Sequence, residues 1–188
     1  MKKFLIPIIA LVSVLFTSCE DELLSKELEL NQPVTFTLTI PANQDTSFSI
    51  ADTLALTENA TLSEFADKIQ SASITSLEMT LSNLQGGNGG DGSDCSISLV
   101  KANFSSDDHS GVLDAEYDLS GSSLKDFIDS PIPNIVLNSV KVEEFVKAFA
   151  TGTNIKYNLE ATEAKNSATE AYTIDVTFQI SGTTTVGL

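Results

Sequence analysis

Two short polar clusters hold the residues whose types and spacing could do chemistry. Asn88, Asp91 and Asp94 lie in Gly86-Gly87-Asn88-Gly89-Gly90-Asp91-Gly92-Ser93-Asp94, and hard oxygen ligands on a flexible backbone are what Ca²⁺ accepts. Their spacing is not that of an EF-hand, which needs ligands at alternate positions and a bidentate Glu at its end. A plain turn is the competing reading, since five glycines among nine residues cost much backbone entropy to order and predict a mobile, exposed hairpin tip. The same glycines make no phosphate loop, because no Lys-Ser or Lys-Thr follows them. Asp107, Asp108 and His109 form the second cluster, between Ser105-Ser106 and Ser110-Gly111. Carboxylates beside an imidazole can bind a divalent metal or polarise a hydroxyl, which makes these three a possible binding loop. Asp, Ser and Gly are also what a hairpin turn demands.

No catalytic residue is assigned. A Ser-His-Asp hydrolase would have to use His109, the only histidine, and no nucleophile elbow accompanies it. Paired carboxylates for glycoside hydrolysis are available by number alone among 26 acids. The chain has no Trp and three Tyr, of which Tyr157 and Tyr172 fall in register with apolar strand residues. A glycan-binding role would therefore need hydrogen bonds from Asn, Asp and Thr, with or without calcium, in place of a stacked aromatic platform. Cys95 alternates with Ile97 and Leu99, the setting of a buried structural thiol rather than a reactive one.

A third chemistry belongs to the amino-terminal end. Lys2 and Lys3 precede an apolar run from Phe4 to Phe16, closed by Thr17, Ser18 and Cys19. The run is basic at its start and too short to span a bilayer, as in a secretory signal. Leu15-Phe16-Thr17-Ser18-Cys19 resembles the lipobox of bacterial lipoproteins, although Phe16 stands where a smaller aliphatic residue is more usual. The resemblance implies that residues 1–18 are removed and that Cys19 is acylated, becoming the membrane anchor. Two or three acyl chains would hold the protein durably, at roughly 0.8 kcal/mol per buried methylene. Glu20, Asp21 and Glu22 directly after the cysteine resemble the surface-export signal of Bacteroidota lipoproteins. That implies an outer-membrane protein displayed at the cell surface, a periplasm-facing orientation being the alternative.

The remaining chain carries eight Lys and no Arg against 26 acids, a formal charge of −18. Nucleic-acid binding depends on Lys and Arg displacing counterions from phosphates, so that class of partner is excluded. About 170 residues suffice for one domain with a single core. With Cys19 acylated, Cys95 is the only thiol left, and an internal disulfide is not expected.

The elements that must position these groups are read from periodicity. Residues 19–32 read as a lipidated cysteine followed by an acidic tether, and 33–188 as a single domain. Val34, Phe36, Leu38 and Ile40 alternate with polar residues as a half-buried strand does, with Phe48 and Ile50 as its expected hairpin partner. Further alternation runs through Leu77–Leu81, Cys95–Leu99, Leu113–Leu119, Ile155–Ala161 and Tyr172–Ile180. Thr61 and Glu64 form a capping box before Leu62, Phe65, Ala66 and Ile69, predicting a helix over about 61–70. Val142, Phe145, Val146 and Phe149 before Gly152 predict another near 140–150. Ser123 and Asp126 around Leu124 and Phe127 predict one helical turn. The fold class expected is mainly β, an antiparallel β-sandwich with two or three short helices capping its open ends.

The function expected is a lipid-anchored, non-enzymatic binding or scaffold module of the cell envelope, with a protein or glycan partner. The alternatives are a pilus- or matrix-like subunit that exchanges strands through residues 20–40 or 182–188, and a calcium-dependent glycan-binding protein. No cofactor other than calcium is expected.

Overall fold

The computed structural model describes residues 25–188 except positions 44, 46, 57, 107–110 and 121. Cys19, Glu20, Asp21 and Glu22, and likewise Asp107, Asp108 and His109, lie outside the described residues.

Alternation of branched or aromatic residues with Thr, Ser and acids gives strands with one dry face each. In chain order they are β1 Ser25–Ile40, β2 Phe48–Leu54, β3 Ile69–Gly86, β4 Cys95–Ser96, β5 Leu99–Ser106, β6 Val112–Asp118, β7 Pro131–Ile132, β8 Val136–Val140, β9 Ile155–Thr162, β10 Lys165–Asn166 and β11 Tyr172–Gly187. The first sheet has the order β1-β11-β3-β7, the second β2-β9-β5-β6-β8, and β10 pairs with β4 in a small third sheet. All these ladders are antiparallel. The two large sheets pack face to face as the expected β-sandwich.

Phe178 on β11 lies at the centre of the interface. Its ring is 5.0 Å from that of Phe104, 5.7 Å from Tyr117 and 5.9 Å from Phe36. Phe36 in turn stacks on Tyr157 at 4.2 Å. The Tyr117 hydroxyl is buried there and donates to the Leu77 carbonyl at 2.7 Å, which satisfies its one polar atom.

The strands of the first sheet outrun those of the second, and helices cover the surplus. Helix α2, Val142–Thr151, turns Phe145, Val146, Ala148 and Phe149 inward onto β3. Gly152, at φ 65°, ends it in the left-handed conformation expected of that glycine. The other helical expectation is only partly met. Helix α1 spans Ala60–Ser63, followed by a 3₁₀ turn at Ala66–Lys68. Asn59 rather than Thr61 caps α1, its side-chain oxygen accepting from the Thr61 and Leu62 amides at 3.1 Å. Ile69, expected at the end of that helix, instead starts β3 opposite Val186. The turn at Leu124–Phe127 forms as expected, with the Asp126 carboxylate accepting from the Ser123 amide at 2.9 Å.

Two further expectations are corrected. Residues 25–32 are not tether, because they extend β1, with Leu28 and Leu30 buried opposite Thr184 and Gly182. β1 and β2 are not a hairpin, since β1 pairs with β11 and β2 with β9 in the facing sheet. Residues 182–187 complete the first sheet, with β11 running between β1 and β3 to Gly187.

Thr184 sits on β11 between Leu28 and Ala72. Its buried hydroxyl has no hydrogen-bond partner, and desolvating such a group without compensation costs about 1–3 kcal/mol. Thr184→Val keeps the shape and removes that penalty. It should raise the unfolding free energy by about 1 kcal/mol, measured by urea titration.

Candidate functional site

Since side chains alternate across a strand, the residues that do not face the core of the second sheet must face outward, and strand register decides which of them meet. Pairing places Asn158 of β9 opposite Asn103 of β5, Asn103 opposite Asp114 of β6, and Asp114 opposite Asn138 of β8. Four amide or carboxylate side chains therefore stand in one row across four strands. A parallel row runs beside it: Ser49, Glu160, Lys101 and Glu116, on β2, β9, β5 and β6. Most of these residues line a shallow trough of about 330 Å³.

Within the trough the groups hold one another in place. The Asn103 amide donates to Asp114 at 2.5 Å, and the Ser49 hydroxyl donates to Asn158 at 2.7 Å. Lys101 lies 3.7 Å from Glu116, a pair too exposed to add much stability. Each amide and carboxylate still has hydrogen-bonding capacity beyond these contacts. The face can thus offer several fixed donors and acceptors at strand spacing, on a rigid support, with a negative bias from Asp114, Glu116 and Glu160. No sequence motif marked these residues. The only signal was their outward phase on five separate strands, which carries no information about register.

The glycine-rich segment differs from the expected hairpin tip. It leaves β3 at Gly86, passes through a 3₁₀ turn at Gly87–Gly89 and enters β4 in a different sheet. It is also folded against the protein. A Cβ on Gly87 would lie 2.1 Å from the Tyr172 ring, and one on Gly90 would lie 2.3 Å from the Tyr172 hydroxyl. The glycines are there so that backbone can close over a buried tyrosine.

Each candidate calcium ligand in this segment is engaged with a different neighbour. Asn88 accepts from the Thr169 hydroxyl at 2.8 Å and donates to Glu170 at 3.0 Å. Asp91 accepts from the Ser93 amide at 3.1 Å and pairs with Lys125. The Lys125 ammonium, with Ser93, holds the Asp91 carboxyl well below the usual carboxylate range. Asp94 accepts from the Tyr172 hydroxyl at 2.5 Å. Among the described residues no group of three or more His, Cys, Asp or Glu side chains is placed to hold a metal ion. Cys95 is buried, and desolvation together with the Asp94 charge pushes its thiol up to about 11, the opposite of an activated nucleophile.

No protein-family model and no curated protein matches the chain. Among solved structures, the crystal structure of the decameric BFDV capsid protein is similar over 85% of this chain and 99% of that one, at 10% identity and a TM-score of 0.38.

Burial, with the Asp94 carboxylate beside it, pushes the Tyr172 hydroxyl up to about 12. A phenol raised in the folded state contributes stability that is fully present below its ordinary pKa of about 10 and is lost as pH rises towards the folded value, because the unfolded chain releases its proton first. The melting temperature should therefore fall between pH 10 and 12. Tyr172→Phe should lower it at neutral pH by removing the bond to Asp94, and should flatten the alkaline fall without abolishing it, because burial raises Tyr117 as well. A differential scanning series over pH checks both effects.

Proposed function

We propose that this chain is a lipid-anchored, non-enzymatic binding module of the bacterial cell envelope, and that its working surface is the polar outer face of the second sheet. The observation that carries the reading is the row Asn158, Asn103, Asp114 and Asn138, held in register by four strands. Such a face suits a ligand that is itself rich in hydroxyls. Sugar hydroxyls donate to carboxylates and amide oxygens and accept from amide nitrogens. All three tyrosines are buried in the core or beneath the glycine-rich segment, so recognition here rests on hydrogen bonds rather than on ring stacking. The carboxylates on either side of Lys101 disfavour acidic saccharides, which leaves neutral or amino sugars as the ligand class.

The anchor is a separate part of the proposal and is supported by Cys19 and its preceding apolar run. β1 starts at Ser25, so only a few residues would separate an acylated Cys19 from the sheet. The domain would then be held close to the membrane.

Two experiments test these parts independently. Chain from residue 19 onward, with Cys19→Ser for solubility, would be applied to an array of neutral, amino and acidic glycans. Binding to neutral or amino glycans is expected, and Asn103→Ala or Asn158→Ala should weaken it about tenfold, the equivalent of one good hydrogen bond. Asp91→Asn, in the glycine-rich segment and outside the trough, should leave it unchanged. Failure to bind any neutral or amino glycan would sink the ligand assignment. For the anchor, cells fed a clickable palmitate analogue should label the wild-type chain and not Cys19→Ala; equal labelling would refute it.

A further inference from the structure

The two large sheets have four outer strands: β1, β7, β2 and β8. Three of them carry the devices that normally keep a sheet edge from pairing with another chain. β1 bears Lys26, Glu27, Glu29 and Pro33; β2 bears Asp52; β7 is two residues long and begins at Pro131. β8 has none of them. From Asn134 to Val140 there is no charge and no proline. Ile135, Val136 and Val140 are exposed there by 58%, 38% and 57%, three of the four large exposed hydrophobic residues among those described.

We infer that β8 is the docking edge for a second copy of this chain, joined as a two-fold antiparallel strand pair centred on Asn138. The sequence Val136-Leu137-Asn138-Ser139-Val140 is self-complementary in that arrangement. Val136 falls opposite Val140 of the second copy, and Val140 opposite its Val136. Both valine pairs lie on the outer face with Asn138, because their partners on β6 are Glu116, Asp114 and Val112. A closed two-fold contact of this kind uses the same patch on both chains and ends with the pair. Lys141, at φ 49°, turns the backbone out of the strand immediately after Val140 and limits the ladder to five residues.

Charge decides where two such chains can meet. From residue 19 onward each has a formal charge of −18 and would be repelled at most of its surface, whereas residues 131–140 are uncharged. The nearest acids in the central row, Asp114 of each copy, would be three strand spacings apart, about 14 Å, which exceeds the Debye length of about 8–10 Å at physiological salt. A five-residue strand pair buries less than the roughly 1,000 Å² expected of a stable interface, so the contact is a reversible equilibrium. It also joins the two polar rows end to end, through Asn138 against Asn138, into one row across both copies. The edge contact itself does not depend on what that row binds.

Cysteine crosslinking tests the register. In chain from residue 19 onward with Cys19→Ser, the remaining native thiol, Cys95, is buried and should stay silent. Under mild oxidation Asn138→Cys should form covalent dimers, because the two-fold axis brings position 138 against itself. Val136→Cys and Val140→Cys should stay monomeric alone and crosslink when mixed. Sedimentation equilibrium on the Cys19→Ser chain should show dimer at high concentration, with Val140→Lys weakening it at least tenfold and leaving the melting temperature unchanged. Absence of Asn138→Cys dimers, or equal crosslinking by all three variants, would overturn the assignment. So would a chain that remains monomeric at millimolar concentration, the outcome expected if β8 receives a strand from a different protein.

Discussion

The packing of two inner sheet faces around Phe178 is the constraint from which the other features follow. Once Phe36, Phe104, Tyr117 and Phe178 interlock, no strand can slip by one residue without turning its apolar set to solvent and its polar set into the core. The outer face is thereby fixed as firmly as the inner one. Asn103 and Asp114 meet on the outside because Ala102, Phe104, Leu113 and Ala115 are locked on the inside. The polar row is thus a by-product of core register, with the rigidity of the core but only part of its burial.

An acid-rich chain without arginine has too few cations to neutralise its carboxylates, and it uses neutral donors instead. Asp175 accepts from Asn83 at 2.7 Å and from Thr37 at 2.8 Å, and these two bonds hold its carboxyl below the usual range. Asp118 is held low in the same way by Ser120. The stability these bonds supply is present above the ordinary carboxylate pKa and is lost as acid protonates the native state. Amides and hydroxyls facing carboxylates recur on both outer faces. On the first sheet, Thr35 also meets Thr177 at 2.9 Å, so donors and acceptors there are largely matched within the protein. The second sheet leaves more of its capacity open.

Inward residues were legible wherever alternation was strong, as at Leu113, Ala115 and Tyr117 or at Ile174, Val176 and Phe178. The limits of legibility were of three kinds. Pairing partners were hidden, because periodicity says which side a residue faces and nothing about its neighbour across the ladder. That is why Phe48 was matched to the strand it follows rather than to Ala161. Strand ends were hidden where alternation was diluted by charge: Leu28 and Leu30 stand among Lys26, Glu27 and Glu29, yet continue β1. The glycine-rich segment is illegible in the sequence because its order comes from a residue far along the chain, Tyr172, whose ring it covers. The polar row shares the first difficulty, since its members lie on four strands scattered between Asn103 and Asn158.

β11 follows the other ten strands in the chain, yet it is flanked in its sheet by β1 and β3. In chain order β1 and β3 both precede the strand that lies between them, Tyr172–Gly187. The first sheet cannot be assembled by steady addition at an edge; it closes when its middle is inserted. A chain halted before residue 172 would lack both that middle and Phe178, leaving β1 without a ladder partner and β3 with only the two-residue β7. The position of one strand thus makes closure of the first sheet wait on the last strand in chain order.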